Sequence, residues 1–310
     1  MKKNKVALLF HGVVGSKNRH GKIVNYGRAL KTHYNNLYNN ETCDIDVFMH
    51  YWDMDNNISD SKLIRDFKPT RYIKKKTIDK GIGEEYWKIL NKSYKKFNGN
   101  FRNKKNIINI LERIYSQMYG LFYCNELKRN YEIEHNFKYD FVIKTRYDLL
   151  LGWKPNFNSL DPKKFYSLPY NKQKKIHKGK DYITLTDFFW ISGTEIMDDF
   201  VKIAPNFKDY LENEDFVNYF SGKLEYAWIW NMINYNIYDK IELQDFLENP
   251  ISLDRFLDKN VEFHSNIAKN QTGCLPFTGW KANKTHSRKE VEKKMKTIQE
   301  KLKKSVNGGI

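Results

Sequence analysis

The chain has 310 residues, enough to bury roughly three-quarters of its unfolded surface in one large domain or two smaller ones. Aromatic residues make up 15% of it, with 21 Tyr and 20 Phe, and Gly and Pro are sparse, which excludes disordered, collagen-like and linker-dominated classes. The formal net charge of +17 is uneven: residues 62–105 carry 15 Lys/Arg against 4 Asp/Glu and residues 281–304 carry 10 against 3, so the remainder is close to neutral.

The opening Met-Lys-Lys-Asn-Lys and the apolar residues after it have the look of a secretion leader. His11 and Gly12 interrupt the run, however, and no clear small-residue cleavage site follows. Val6–Phe10 therefore reads as a first buried strand, followed by a loop from His11 to Lys22 with glycines at 12, 15 and 21. A helix fits Ile23–Tyr38. Asp44–Met49 reads as a second strand, ending in His50-Tyr51-Trp52-Asp53. Asp55–Ser61 is polar and loop-like, and Pro69 and Tyr72 mark a short edge element. Residues 74–105 are strongly basic without clear periodicity, as an insertion or a flexible helical region would be. Asn106–Tyr131 is the clearest helix, with Ile107, Ile110, Leu111, Ile114, Met118 and Leu121 at three- and four-residue spacing.

The segment Tyr139–Leu151 is the most informative. Phe141-Val142-Ile143 leads directly into Lys144, Arg146 and Asp148 before apolar residues resume at Leu149. Continued as a strand, its period of two puts the three charges on one face. Charges flanked by core residues are costly to bury unless paired, hydrated or ligand-bound. The strand–helix–strand–helix–strand order predicts an α/β fold, a mostly parallel, mixed sheet with helices on its faces, in which ligands bind beyond the carboxyl ends of the strands. Arg146 and Asp148 are expected at that edge, as a salt bridge or as a ligand site.

Short strands at Phe165–Leu168 and Asp187–Ser192 follow, separated by a charged loop, Asn171–Lys180. Helices fit Thr194–Ala204 and Glu225–Tyr235. The tail, Ser287–Lys304, aligns Val291, Met295, Ile298 and Leu302 on one stripe of a basic C-terminal amphipathic helix. Such a helix packs on its own domain, self-associates or makes peripheral contact with an anionic membrane. The expected division is one domain over 1–280, with a basic insertion at about 62–105, and a helical tail over 281–310. Cys43, Cys124 and Cys274 are widely spaced and form no CxxC pair, which suits reduced thiols in the cytoplasm. No stretch reaches the roughly 20 apolar residues that span a bilayer.

Several motifs in order resemble a family of GT-A-type glycosyltransferases found in bacteria and large viruses. They are His11-Gly12 after the first strand; Asp46 to Asp53, similar to the family's strand ending in His-x-Trp-Asp; and Tyr115-Ser116-Gln117-Met118-Tyr119 on the long helix. Tyr139–Leu150 is similar to the family's Tyr-Asp-x-Val-Ile-Arg-x-Arg-x-Asp-Leu. Thr186–Gly193 with Met197, and Glu225 at a helix start, complete the series. The resemblance spans residues 5–235 and rests on order and spacing. It implies a GT-A-like fold and transfer of a sugar from a nucleotide diphosphate sugar to a hydroxyl of a glycan or another acceptor. It also implies an Asp-x-Asp element that binds Mn²⁺ or Mg²⁺ and the diphosphate. Here that element is Arg146-Tyr147-Asp148, so one carboxylate, Asp148, is left for the metal, and Arg146 replaces the other with a planar phosphate-binding fork. His264 or His286 are further candidate ligands without supporting spacing.

Asp187, ahead of the aromatic Phe188-Phe189-Trp190, is the first choice for the general base that deprotonates the acceptor; it equally suits orienting the acceptor or capping a turn. Glu225 is the second choice, against an ordinary first-turn carboxylate facing the helix dipole. Gly12 lets backbone approach a nucleotide, and Arg19 can reach phosphate. Asp53 suits a ribose or a turn cap, Trp52 suits core packing ahead of stacking near the base, and Gln117, mid-helix among apolar residues, needs a backbone or ligand partner. The +17 charge supports a rival class, a nucleic-acid-binding protein or nuclease, although no base-recognition motif accompanies it. Loss of the first Asp supports a third class, a nucleotide-sugar-binding protein without turnover.

Overall fold

The computed structural model describes residues 3–14, 26–53, 59–76, 81–94, 104–177, 180–220, 224–244, 251–253 and 288–307. Its centre is a seven-stranded sheet made of β1 (Asn4–Val13), β2 (Cys43–Asp53), β3 (Arg71–Lys76), β4 (Phe141–Thr145), β6 (Phe165–His177), β7 (Lys180–Ser192) and β8 (Ile241–Leu243), in the order β3-β2-β1-β4-β7-β6-β8. The four strands β3, β2, β1 and β4 run parallel. β7 pairs antiparallel with both β4 and β6, and β8 is parallel to β6. A two-stranded piece pairs β5 (Leu149–Leu151) with β9 (Ile251–Leu253). The α/β class and the mixed sheet flanked by helices are thus as the sequence predicts.

β1 is a continuous apolar run because it is covered on both faces. Ala7 and Leu9 point to one core, and Val6, Leu8 and Phe10 to the other. The first core is closed by α4 (Lys104–Glu134), whose Leu111, Ile114, Met118, Leu121 and Cys124 form the buried stripe. Helices α5 (Thr194–Phe200), α6 (Ile203–Glu212), α7 (Glu214–Phe220) and α8 (Leu224–Asn234) extend this core. There Trp190 of β7 meets Phe200 at 4.8 Å and Trp228 at 5.3 Å between ring centres. The second core is filled from α1 (Gly27–His33), which widens into a π-turn over Tyr34–Tyr38, and from α2 (Asp60–Phe67), through Leu30, Leu63 and Phe67.

A buried ionic cluster ties α4 to the start of α5 and to the chain entering β4. Lys128 Nζ lies 2.8 Å from Asp198 Oδ1 and 3.4 Å from Glu132 Oε2, and it also donates to the Thr194 hydroxyl. Glu132 Oε1 accepts from the Thr194 hydroxyl at 2.9 Å and from the Tyr139 amide at 3.0 Å. Each charge has a partner, as burial demands.

Two sequence expectations need correction. The strand expected through Tyr139–Leu151 ends at Thr145; Arg146, Tyr147 and Asp148 form a turn, with the Leu149 amide donating to Arg146 O at 3.4 Å. Arg146 and Asp148 therefore do not continue the face of Lys144. The charged loop expected at Asn171–Lys180 is largely the distal part of a β6/β7 hairpin, which pairs as far as His177 with Lys180 across register shifts near Pro169 and Asn171. A strand without hydrophobic alternation gives no period for sequence reading to find. The basic stretch 62–105 contributes most of α2, all of β3 at the sheet edge, and α3 (Ile82–Tyr94), whose Tyr86 and Leu90 are buried one turn apart against α4.

The C-terminal helix α9 (Arg288–Asn307) follows its expected span closely. Ile298 and Leu302 are buried, and Ser305 bonds to Leu151 O (2.8 Å) and accepts from Asn36 (2.7 Å), so this helix packs on α1 and β5. Among the described residues, no helix is long and apolar enough to cross a membrane.

Candidate functional site

Four parallel strands present their carboxyl ends at one edge of the sheet. From β1 the chain goes to β2 on one side, while β4 lies on the other, so the β1–β4 boundary is the topological switch point. β7 runs the opposite way, and the pairing of Lys144 with Trp190 brings the earlier β7 residues Asp187 and Phe188 to this same edge. Residues far apart in sequence meet there.

Arg146 and Asp148 form an ion pair, Nε to Oδ1 at 3.0 Å and Nη2 to Oδ2 at 3.4 Å. The Arg146 side chain is 26% exposed and that of Asp148 8%. The guanidinium also lies 5.7 Å from the Phe188 ring centre. Between them, Tyr147 is turned into the second core, stacked on Phe10 at 5.5 Å. Its hydroxyl faces His50 O at 3.0 Å and Phe10 O at 3.3 Å, so one side chain anchors the turn to the ends of β1 and β2. The salt-bridge expectation is thus met in the free protein, while the ligand role concerns what the exposed part of Arg146 can still reach.

Asp148→Ala is expected to lower the melting temperature by several degrees, since it leaves Arg146 without its carboxylate. The loss should be roughly 2 kcal/mol, below the 3–5 kcal/mol of a fully buried pair because Arg146 is partly solvated. The double variant Arg146→Met, Asp148→Leu should recover most of it. Thermal melts of the two variants check this, and an unchanged melting point for Asp148→Ala alone would show that the pair holds nothing.

Lys144, on β4, is 2% exposed, and its Nζ lies 4.3 Å from the Trp190 ring centre. No hydrogen bond or ion pair joins it to a described residue. Burial pulls its ammonium down to about 7, against the pull of the Asp187 and Asp148 carboxylates and with the push of Arg146. Its neighbours in charge are therefore Asp187, Arg146 and Asp148. Asp187 itself is half-buried.

On the same face, His11 of β1 pairs in register with His50 of β2. Both are buried, and none of their four ring nitrogens has a hydrogen-bond partner among the described residues. Burial lowers the pKa of both, His50 to about 3; Lys144 and Arg146 push His11 down further, as Lys75 does for His50. His50 stacks on Tyr123 at 5.4 Å. Helix α4 crosses them at Gly120, where a Cβ would stand 3.3 Å from Nδ1 of each imidazole. A third histidine, His33, is satisfied: Nδ1 donates to Ala29 O at 2.8 Å, which leaves Nε2 to accept from the Thr145 hydroxyl at 3.2 Å. Burial puts its pKa at about 4.

The remaining expected residues are placed as follows. Gly12 ends β1 with φ +123°, a conformation that favours glycine, and open space surrounds its missing Cβ. Trp52 donates from Nε1 to Ser116 O at 3.3 Å and is buried, in keeping with packing. Gln117 is half-buried on α4, one turn before Gly120. Glu225 lies in the first turn of α8, three residues ahead of Trp228, on an element separate from the turn. Asp53 closes β2 opposite Lys76, with its side chain outside the described residues, as are Arg19, His264 and His286. The site also includes His50, Lys144 and Tyr147, to which sequence reading assigned no role. The signal for His50 was present: both parallel strands end in a histidine at matching positions.

The donor set around Asp148 does not compose a divalent-cation site. Both carboxylate oxygens face Arg146, and the nearest other charged side chain on β4 is the ammonium of Lys144. Among the described residues, no group of three or more His, Cys, Asp or Glu gathers to hold an ion. An open cleft of about 430 Å³ lies at the opposite edge, lined by Asn4, Asp140, Phe141 and Asn158 at the amino ends of β1 and β4; its lining holds no cation.

No family model and no curated protein matches this chain. Among solved structures, it is similar to mouse xyloside xylosyltransferase 1 in its apo form, with a TM-score of 0.37 and 8% identity over 79% of this chain and 86% of that one.

Proposed function

We propose that this protein is a GT-A-like glycosyltransferase that moves a sugar from a nucleotide diphosphate sugar to an acceptor hydroxyl. The observation that carries the reading is the convergence, at the β1–β4 switch point, of Lys144 and Arg146 from the central strand and its turn with Asp187 from β7. In transfer, the acceptor oxygen bonds to the anomeric carbon and the bond from that carbon to the diphosphate breaks. The electron pair leaves with the diphosphate, and the acceptor proton goes to a base. Fixed cations at the leaving oxygen favour the transition state most, because the negative charge grows there. Asp187 is the carboxylate beside them and takes the acceptor proton. The ordered motifs from His11 to Glu225 support the same reading.

The test is a thermal-shift screen of uridine, guanosine and cytidine diphosphates and their sugars, followed by assay of nucleoside diphosphate release with simple hydroxyl acceptors. One base series should raise the melting temperature at ligand concentrations well above its Kd, by mass action on the folded state. If no nucleotide binds and none is released, the reading fails. Binding without release would instead make the protein a nucleotide-sugar binder.

A further inference from the structure

The row of polar side chains on the α4 face has no internal explanation. His50, His11 and Lys144 come from three adjacent parallel strands, all at their carboxyl ends, and all three are buried. The four imidazole nitrogens have no hydrogen-bond partner among the described residues, and Lys144 lies against the face of Trp190 with only the more distant pull of Asp187 and Asp148. Buried donors left without acceptors are costly, each by the full desolvation of the group. A salt bridge or a backbone carbonyl would have removed that cost, as happens for Lys128 and His33 in the same protein. The row therefore lacks acceptor oxygens.

The charge pattern says what kind of acceptor. Arg146 adjoins the row and is partly exposed, so two cations stand at the switch point. Their carboxylate counterpart is divided: Asp148 is occupied by Arg146, and Asp187 is on the facing strand. A divalent cation placed here would meet an ammonium, a guanidinium and one already paired carboxylate beside the two imidazoles, with no set of three ligands gathered among the described residues. An oxyanion would meet fixed positive charge and imidazoles able to donate.

We propose that the site binds the nucleoside diphosphate without a divalent cation, the Lys144 ammonium and the Arg146 guanidinium neutralising the phosphates in its place and His11 and His50 donating to their oxygens. This rests on the nucleotide-sugar reading above and narrows it. The groups that would supply a metal's charge are built into the strand end, and an arriving phosphate favours the ammonium form of Lys144.

The experiment is calorimetric titration of the full chain with whichever nucleoside diphosphate the screen identifies, once in excess EDTA and once in Mn²⁺. The expected result is a Kd that agrees within about threefold between the two conditions. Lys144→Met keeps the volume and removes the charge, and should weaken binding by roughly 10- to 100-fold in both, with no rescue by Mn²⁺. Should Lys144→Met fail to fold, Lys144→Gln with circular dichroism as a control serves the same purpose. Binding in Mn²⁺ that vanishes in EDTA would overturn the inference and leave the transferase reading standing. Equal binding by wild type and both Lys144 variants would also overturn it. No binding under either condition would remove both.

Discussion

Replacing Asp187 with Asn is expected to cut sugar transfer by roughly two to four orders of magnitude while the nucleoside diphosphate still binds. The carboxylate stands on β7, directly across from the strand end that carries the cations, and it is half-buried. Asn keeps the shape and the hydrogen-bonding reach but cannot take a proton from an acceptor hydroxyl. There is a competing effect. Asp187 is the main charge holding the Lys144 ammonium up against burial, so its removal lowers that pKa further. Binding should therefore be compared at pH 6 as well as at pH 8. At pH 6 the variant should bind within a few fold of the wild type and still fail to turn over. Parallel losses of binding and turnover at both pH values would make Asp187 a positioning residue for the cations rather than the base.

The second large effect is on acid stability. His11, His33 and His50 are buried in their neutral form, and each has a folded pKa below the unfolded value near 6.5. The unfolded chain then binds more protons than the folded one below that value. The stabilisation is complete above pH 6.5 and is lost as pH falls toward about 4 for His33 and about 3 for His50. The slope approaches about 1.4 kcal/mol per pH unit for each group, against a total stability of order 5–15 kcal/mol. Lys144 acts in the same direction at higher pH: its folded pKa of about 7 lies below the usual lysine value, so stability rises between there and about 10.4. Urea denaturation at pH 5, 6, 7 and 8.5 should show the midpoint climbing throughout. Lys144→Met should flatten the upper part and leave the lower part. A midpoint that does not change from pH 5 to 7 would mean that the three imidazoles are not held neutral.

The parts of the fold legible in sequence were those where one physical signal acts alone. β1 is buried on both faces, so its apolar run had one reading. α4 carries its core stripe at helical spacing from Leu111 to Cys124. Arg146 and Asp148 drew attention because charge beside a core run is costly. The sequence did not reveal that the chain turns at Arg146, because Tyr147 is apolar enough to pass for a strand residue; its hydroxyl, bonded to carbonyls of two other strands, decides the matter. The β6/β7 hairpin was hidden because its outer half has no hydrophobic alternation. The histidines at the ends of the first two strands were visible in sequence, but their pairing side by side depends on strand register, which sequence alone does not supply.

Tyr147 has one further consequence. A phenol has one proton, yet its oxygen faces two carbonyls, at the ends of β1 and β2. The Phe10 carbonyl also accepts from the Cys124 thiol at 3.0 Å, so it does not depend on the phenol alone. The turn that carries Arg146 and Asp148 is thus latched by one donor shared between two strands. The strand ends and the turn are therefore held as one unit, and Tyr147→Phe would release the turn from β1 and β2 together.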